Sequence, residues 1–200
     1  MQDTIQRETH FWERGCQYYI AARFAVPGGL NPVAANLLHH AIEFMLKGTL
    51  VKTRELRGLQ NKYGHKLPPL WKDFKTVVGD AGLTRFDAII DGLHRYEDLR
   101  YPDDALKNGM ESVITSHRGM ADLQMMREGI LPAGVAADIN RRIDALPKGK
   151  RYDLCLEEVD ELVEAIFKAA KWDPRFFFSR MNPKARETLA DGNQAKGLLK

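Results

Sequence analysis

The sequence predicts an all-α fold, and three observations predict it. Apolar residues recur at helical spacing in almost every long segment. Proline and glycine clusters at 27–29, 79–82 and 147–149 cut the chain into lengths that suit helices. Only 112–116 (SVITS) is rich enough in β-branched residues to read as a strand. With 200 residues, 44% hydrophobic and 28% charged, the chain reads as one soluble globular domain with a sizeable core. That domain is placed at 1–191, with an insert at about 105–130 and a polar tail at 192–200.

In order, residues 3–26 form a first helix in which Ile5, Trp12, Cys16, Tyr19, Ile20 and Phe24 share a face and Gly15 is a modest cost. Pro27, Gly28 and Gly29 stop it. A second helix over 31–51, with Asn31 as N-cap and Pro32 at its first position, is apolar through Ala34, Leu38, Ala41, Ile42 and Met45. Two long helices joined by so short a loop pack antiparallel. Residues 58–64 (GLQNKYG) read as turn chemistry, and His65 begins a third helix through Val78 with Leu67, Leu70, Trp71 and Phe74 on one side. Thr84 caps a fourth helix to about Arg100, with Phe86, Ile89, Ile90, Leu93 and Tyr96 inward. The SVITS strand would need a partner, such as a hairpin strand near Leu123, packed on the helices. Pro132 starts another helix, Asp153 caps a strong one to Lys171, and Asn182 with Pro183 caps a short last one.

Composition narrows function little. No apolar run approaches the roughly 18 residues that span a bilayer, and the N-terminal residues lack a secretory pattern. The expected setting is therefore cytoplasmic, with no membrane contact. Cys16 and Cys155 lie far apart on apolar helix faces and read as reduced, buried thiols. A net charge of +3 permits a nucleic-acid partner without arguing for one.

One feature resists composition. Along the apolar second helix, Asn36, His39, His40, Glu43 and Lys47 fall within roughly 100° of arc. Either they form a buried network that sets how the helices register, or they line a pocket. In the pocket reading, His39 or His40 moves a proton and Lys47 meets an anion. His40 is expected to be the structural member and His39 the accessible one. His65 joins them as a candidate catalytic group or serves only to start a helix. Arg100, with Tyr101 beside it, either answers a helix dipole or turns toward Glu43 as an ion pair. Asp87, Asp91, His94 and Asp98 line one stripe that reads as a solvated acidic face. Trp172 and 175–180 interleave basic and aromatic residues. Phe176, Phe177 and Phe178 cannot all enter one core and read as a dimer interface, with base stacking as the alternative. No cofactor and no metal site are expected.

Three stretches together resemble the HEPN domains of prokaryotic proteins. HHAIEFMLKGTLV is similar to their His-Ala-x-Glu-x-x-x-Lys pattern at His40, Ala41, Glu43 and Lys47; GHKLPPLWKDF, at 64–74, is similar to their Gly-His-x-Leu; and DLRYPDD, at 98–104, is similar to their Leu-Arg-Tyr-Pro. The resemblance implies an antiparallel bundle of four to five core helices that dimerises. Some members are metal-independent ribonucleases with an Arg-x(4–6)-His motif, which this chain lacks: seven residues separate Arg57 from His65 and eight separate Arg85 from His94. The resemblance therefore implies a non-toxin module that binds RNA or a nucleotide. It also leaves a nucleotidyltransferase partner, a ribonuclease with an altered His/Lys/Arg site, and a non-catalytic homodimeric interaction protein as further expectations.

Overall fold

The computed structural model describes residues 2–54, 56–97, 110–115, 150–195 and 197–198. Helix dominates them, as the periodicity predicts. Helix α1 (Gln2–Ala25) is followed by a single 3-10 turn, Val26–Gly28, and then by α2 (Asn31–Leu50), which starts one residue earlier than expected with Leu30 as its N-cap. Gly29 ends the 3-10 turn at φ 70°, a conformation that costs glycine little.

The two helices pack antiparallel, since Gly48 lies against Trp12, Met45 against Gly15 and His40 against Tyr18. Gly15 is more than a helix-propensity cost. A Cβ there would come within 2.8 Å of Met45 Cγ, and one on Gly48 within 3.0 Å of Trp12 Nε1. The missing side chains let the backbones close up. Trp12, Cys16 and Tyr19 are fully buried as predicted, whereas Ile5 and Phe24 at the two ends of α1 are exposed. Along α2, Ala34, Leu38, Ala41, Ile42 and Met45 have no exposed surface, so this helix is the centre of the core.

The next segment departs from the sequence reading. Residues Leu56–Tyr63 form α3 and not a turn, because Leu59 and Tyr63, four apart, bury their side chains on one face. Helix α4 (Leu67–Val78) begins two residues after His65, with Lys66 as N-cap and its two prolines in the first turn, where they displace no hydrogen bond. A 3-10 segment, Ala81–Phe86, precedes α5 (Asp87–Arg95). The capping side chain there is Asp80, which accepts from Gly82 N at 2.8 Å; Thr84 instead donates to Ala81 O. Phe86, Ile89, Ile90, Leu93 and Tyr96 are all buried, as expected.

Strand β1 (Met110–Thr115) contains most of the SVITS stretch, but it pairs in parallel with β2 (Lys150–Cys155). Residues 150–155 were expected to be a turn followed by the start of a helix. Tyr152 and Leu154 are buried and alternate along the strand, and that period of two prevails. Helix α6 (Leu156–Ala170) consequently begins after Cys155, which sits half-buried at its N-cap instead of on its apolar face. The Tyr96 hydroxyl donates to Tyr152 O at 2.6 Å and ties the ladder to the end of α5.

The chain closes with α7 (Arg175–Phe178) and α8 (Pro183–Ala190), the latter capped by Asn182 as predicted. The following residues, expected as a loose tail, enter the core: Asn193, Ala195 and Leu198 are buried. Tyr19 and Asp160 hold them there. The Tyr19 hydroxyl donates to Asp160 Oδ1 at 2.6 Å and accepts from Asn193 Nδ2 at 2.9 Å, while Gln194 N donates to Asp160 Oδ2 at 3.0 Å. Arg23 completes this group at 3.3 Å from Asp160.

No helix among the described residues is long and apolar enough to cross a membrane. Arg100, Tyr101, the remainder of the 105–130 insert and the helix expected after Pro132 lie outside the described residues.

Candidate functional site

Three of the six histidines, His39, His40 and His65, gather around the Glu43 carboxylate, and a fourth, His94, lies beside the His39 ring. Helix α2 supplies His39, His40, Glu43 and Lys47, spaced so that they share a face. The turn between α3 and α4 brings His65, and the end of α5 brings His94 and Glu97.

Glu43 is the hub. Its Oε1 accepts from Lys47 Nζ at 2.5 Å, and its Oε2 accepts from His40 Nδ1 at 3.2 Å and His65 Nδ1 at 3.1 Å. Burial alone would raise its pKa. The hydrogen bonds from His40, Lys47 and His65, with the charge on Lys47, outweigh that and bring it down to about 2. The carboxylate is therefore ionised throughout the physiological range.

Lys47 also donates to Gly64 O at 2.8 Å. This bond pins the turn that presents His65, and Gly64 itself sits at φ 53°, where a side chain would strain it. Lys47 has two acceptors engaged within the cluster and its side chain is only 10% exposed.

His39 and His40 exchange their expected roles. His39 has no exposed surface, whereas the His40 side chain is 21% exposed and that of His65 is 56% exposed. His39 Nδ1 donates to the carbonyl of Leu93 at 3.1 Å. Its Nε2 lies 3.3 Å from Glu97 Oε2 and 4.0 Å from Glu43 Oε2, but makes no well-directed hydrogen bond. Burial lowers the His39 pKa against the opposing pull of the Leu93 bond and the two carboxylates, which favours the neutral ring. The His40 and His65 rings stand 5.8 Å apart, nearly perpendicular. Because each gives its Nδ1 to Glu43, Nε2 is the atom each has left for other chemistry.

Of the residues expected at this site, His39, His40, Glu43, Lys47 and His65 come together. Asn36 does not: its amide donates to Pro32 O at 3.1 Å, within its own helix. Arg100 and Tyr101 are not among the described residues, so the Glu43–Arg100 pair lies outside them as well.

His94 and Glu97 escaped the sequence reading, which laid His94 on a solvated acidic stripe. Ile90, His94 and Glu97 recur at i, i+4 and i+7, and that spacing carries the last two onto the side of α5 that faces α2. The stripe itself does not converge. Asp87 accepts from Trp71 and Lys75, and Asp91 is exposed.

In the aromatic segment Phe178 is buried within the chain and Phe177 is partly buried against the same core, while the side chain of Phe176 lies outside the described residues. Trp172 stacks on Trp12 at 5.0 Å and is partly buried against the core.

No family model, curated protein or solved structure matches this chain.

Proposed function

We propose that the protein is a HEPN-like module that binds RNA or a nucleotide at the surface formed by His40, His65 and the turn around them. One observation carries this reading: two partly exposed imidazoles hang from a single ionised carboxylate by their Nδ1 atoms, leaving both Nε2 edges to meet a ligand. Imidazole N–H groups are good donors to phosphate oxygens. Lys66, next to His65 in the same turn, is exposed. Arg54 and Lys62 are less available, because both are drawn onto Asp73. Single-stranded RNA labelled at one end, titrated at 50 and 200 mM salt, tests the reading. Three phosphate contacts give a slope near −2, so affinity falls roughly tenfold to twentyfold between those concentrations. His65→Ala with Lys66→Ala should weaken binding further at low salt. Affinity indifferent to salt and to both substitutions would remove RNA from consideration.

A second reading, RNA cleavage without a metal, is favoured by the same pair, since one imidazole can act as base and the other as acid. It moves the catalytic role from His39, which is buried, to His40 and His65. Cleavage assayed in EDTA should fall by about 10²–10⁴ in His40→Ala and in His65→Ala. Equal residual cleavage in parent and variants would identify a contaminant.

A further inference from the structure

His39 points the other way from that surface, into the protein. Its Nδ1 proton is committed to the Leu93 carbonyl, so in the neutral ring Nε2 carries a bare lone pair. That lone pair is fully buried and lies 3.3 Å from Glu97 Oε2 and 4.0 Å from Glu43 Oε2, two further electron-pair donors. His40 Nδ1 is 3.2 Å from the same Glu43 oxygen, and the His39, His40 and Glu43 donor atoms all lie within 4.8 Å of one another. Facing lone pairs repel until a proton or a metal cation joins them, and the three-sided convergence of two imidazoles and a carboxylate offers a metal ion more ligands than one proton can use. Ligand atoms about 2.0–2.2 Å from a tetrahedral zinc ion stand about 3.3–3.6 Å apart, so the 3.2 Å His40–Glu43 separation already fits and the 4.0 Å His39–Glu43 separation closes by a few tenths of an ångström on binding.

We propose that His39 Nε2, His40 Nδ1 and Glu43 Oε2 form a three-ligand binding site for a divalent transition-metal ion of the zinc type, with water completing the coordination. Mixed imidazole and carboxylate donors suit that class of ion. The support around the site fits as well. A histidine ligand commonly donates its other N–H to a backbone carbonyl, as His39 does to Leu93. Lys47 stays on Glu43 Oε1, the oxygen away from the site, and His65 can keep its hydrogen bond to Oε2 from outside. His40 moves its ring proton from Nδ1 to Nε2 when it ligates, so coordination needs no net proton loss there. The inference departs from the sequence expectation of no metal, and it does not depend on RNA binding.

The test uses the full chain stripped with EDTA and titrated with Zn²⁺ by calorimetry, then with Co²⁺ by visible absorption. The expected result is one ion per chain. At a hundredfold excess of Zn²⁺ over its dissociation constant, the thermal midpoint should rise by roughly 5–10 °C. His40→Ala removes a partly exposed side chain and should fold; it is expected to weaken binding at least tenfold, and His39→Gln by more. His10→Ala, exposed on α1, is the control and should leave binding unchanged. X-ray absorption on the unaltered zinc-loaded chain supplies a measurement independent of variants, and should show two imidazoles and carboxylate oxygen near 2.0–2.1 Å. Absence of binding at millimolar Zn²⁺, or an absorption spectrum without imidazole ligands, overturns the proposal. So does binding that His40→Ala and His39→Gln both leave intact.

Discussion

Among the described residues, Glu43 and Asp160 are carboxylates buried within polar clusters, and they behave in opposite ways. Asp160 on α6 has no exposed surface, and its partners are a phenol, a guanidinium and a main-chain N–H. Burial raises its pKa more than Arg23 and the hydrogen bonds lower it. Glu43 on α2 is nearly as deep, yet its pKa is brought down to about 2. Its partners are an ammonium and two imidazoles, and the imidazoles reach the surface. Asp160 fastens the end of the chain to α1. Glu43 holds two imidazoles that reach the surface. Depth alone therefore does not set how a buried carboxylate titrates; the chemistry of its partners does.

The largest expected effect comes from removing each carboxylate. Asp160→Leu leaves Arg23, only 8% exposed, without its counter-charge and Tyr19 without its acceptor, and should cost about 3–5 kcal/mol. Glu43→Leu should cost less, about 2–3 kcal/mol, because His65 already meets water and the Lys47 stem can bring its ammonium outward. Urea denaturation at neutral pH measures both, and a larger loss for Glu43→Leu would reverse the distinction drawn here.

Acid should separate the two next. Folding lowers the Glu43 pKa from 4.5 to about 2, so its contribution is present above about 4.5 and is lost as pH falls toward 2. The amount is on the order of 3 kcal/mol. Asp160 has the opposite sign: its pKa is raised, the folded state favours its protonated form, and acid relieves the burial of its charge. In metal-free buffer, Glu43→Gln should therefore lose stability less steeply than the parent between pH 4.5 and 2, and Asp160→Asn more steeply. Parallel curves for all three proteins would show that neither carboxylate governs the acid limb.

The smallest effects sharpen the contrast. Tyr19→Phe deletes one buried hydroxyl and leaves Asp160 short of a donor, at a cost of about 1–2 kcal/mol. His65→Ala, at a half-exposed position, should stay within about 0.5 kcal/mol by the same urea assay.

Much of the fold and part of the site were legible in the sequence. Helical spacing located α1, α2 and α6, and the buried Ala34, Leu38, Ala41, Ile42 and Met45 were named from it. It also placed His39, His40, Glu43 and Lys47 on one face. What it could not settle was which of two adjacent histidines turns inward, since that depends on where α5 lies and on the Leu93 carbonyl it offers. Helix α3 was missed because glycine and asparagine suggest a turn, while its anchors, Leu59 and Tyr63, gain meaning only once α2 and α4 are in place. Strand β2 was missed because a short alternation beside Pro147 and Gly149 reads as the edge of a helix. Asp160 drew no attention in a segment with four glutamates, and nothing local to it announces a distant tyrosine and arginine.

The stitch between Tyr19, Asp160 and Asn193 bears on any attempt to trim the protein. A version cut after residue 192 would strip away the asparagine and the Gln194 amide that meet the phenol and the acid, exposing both to solvent through the gap left behind. Such a fragment should be harder to keep in solution than its polar final residues suggest. Its misbehaviour would report a lost fastening rather than a lost ligand.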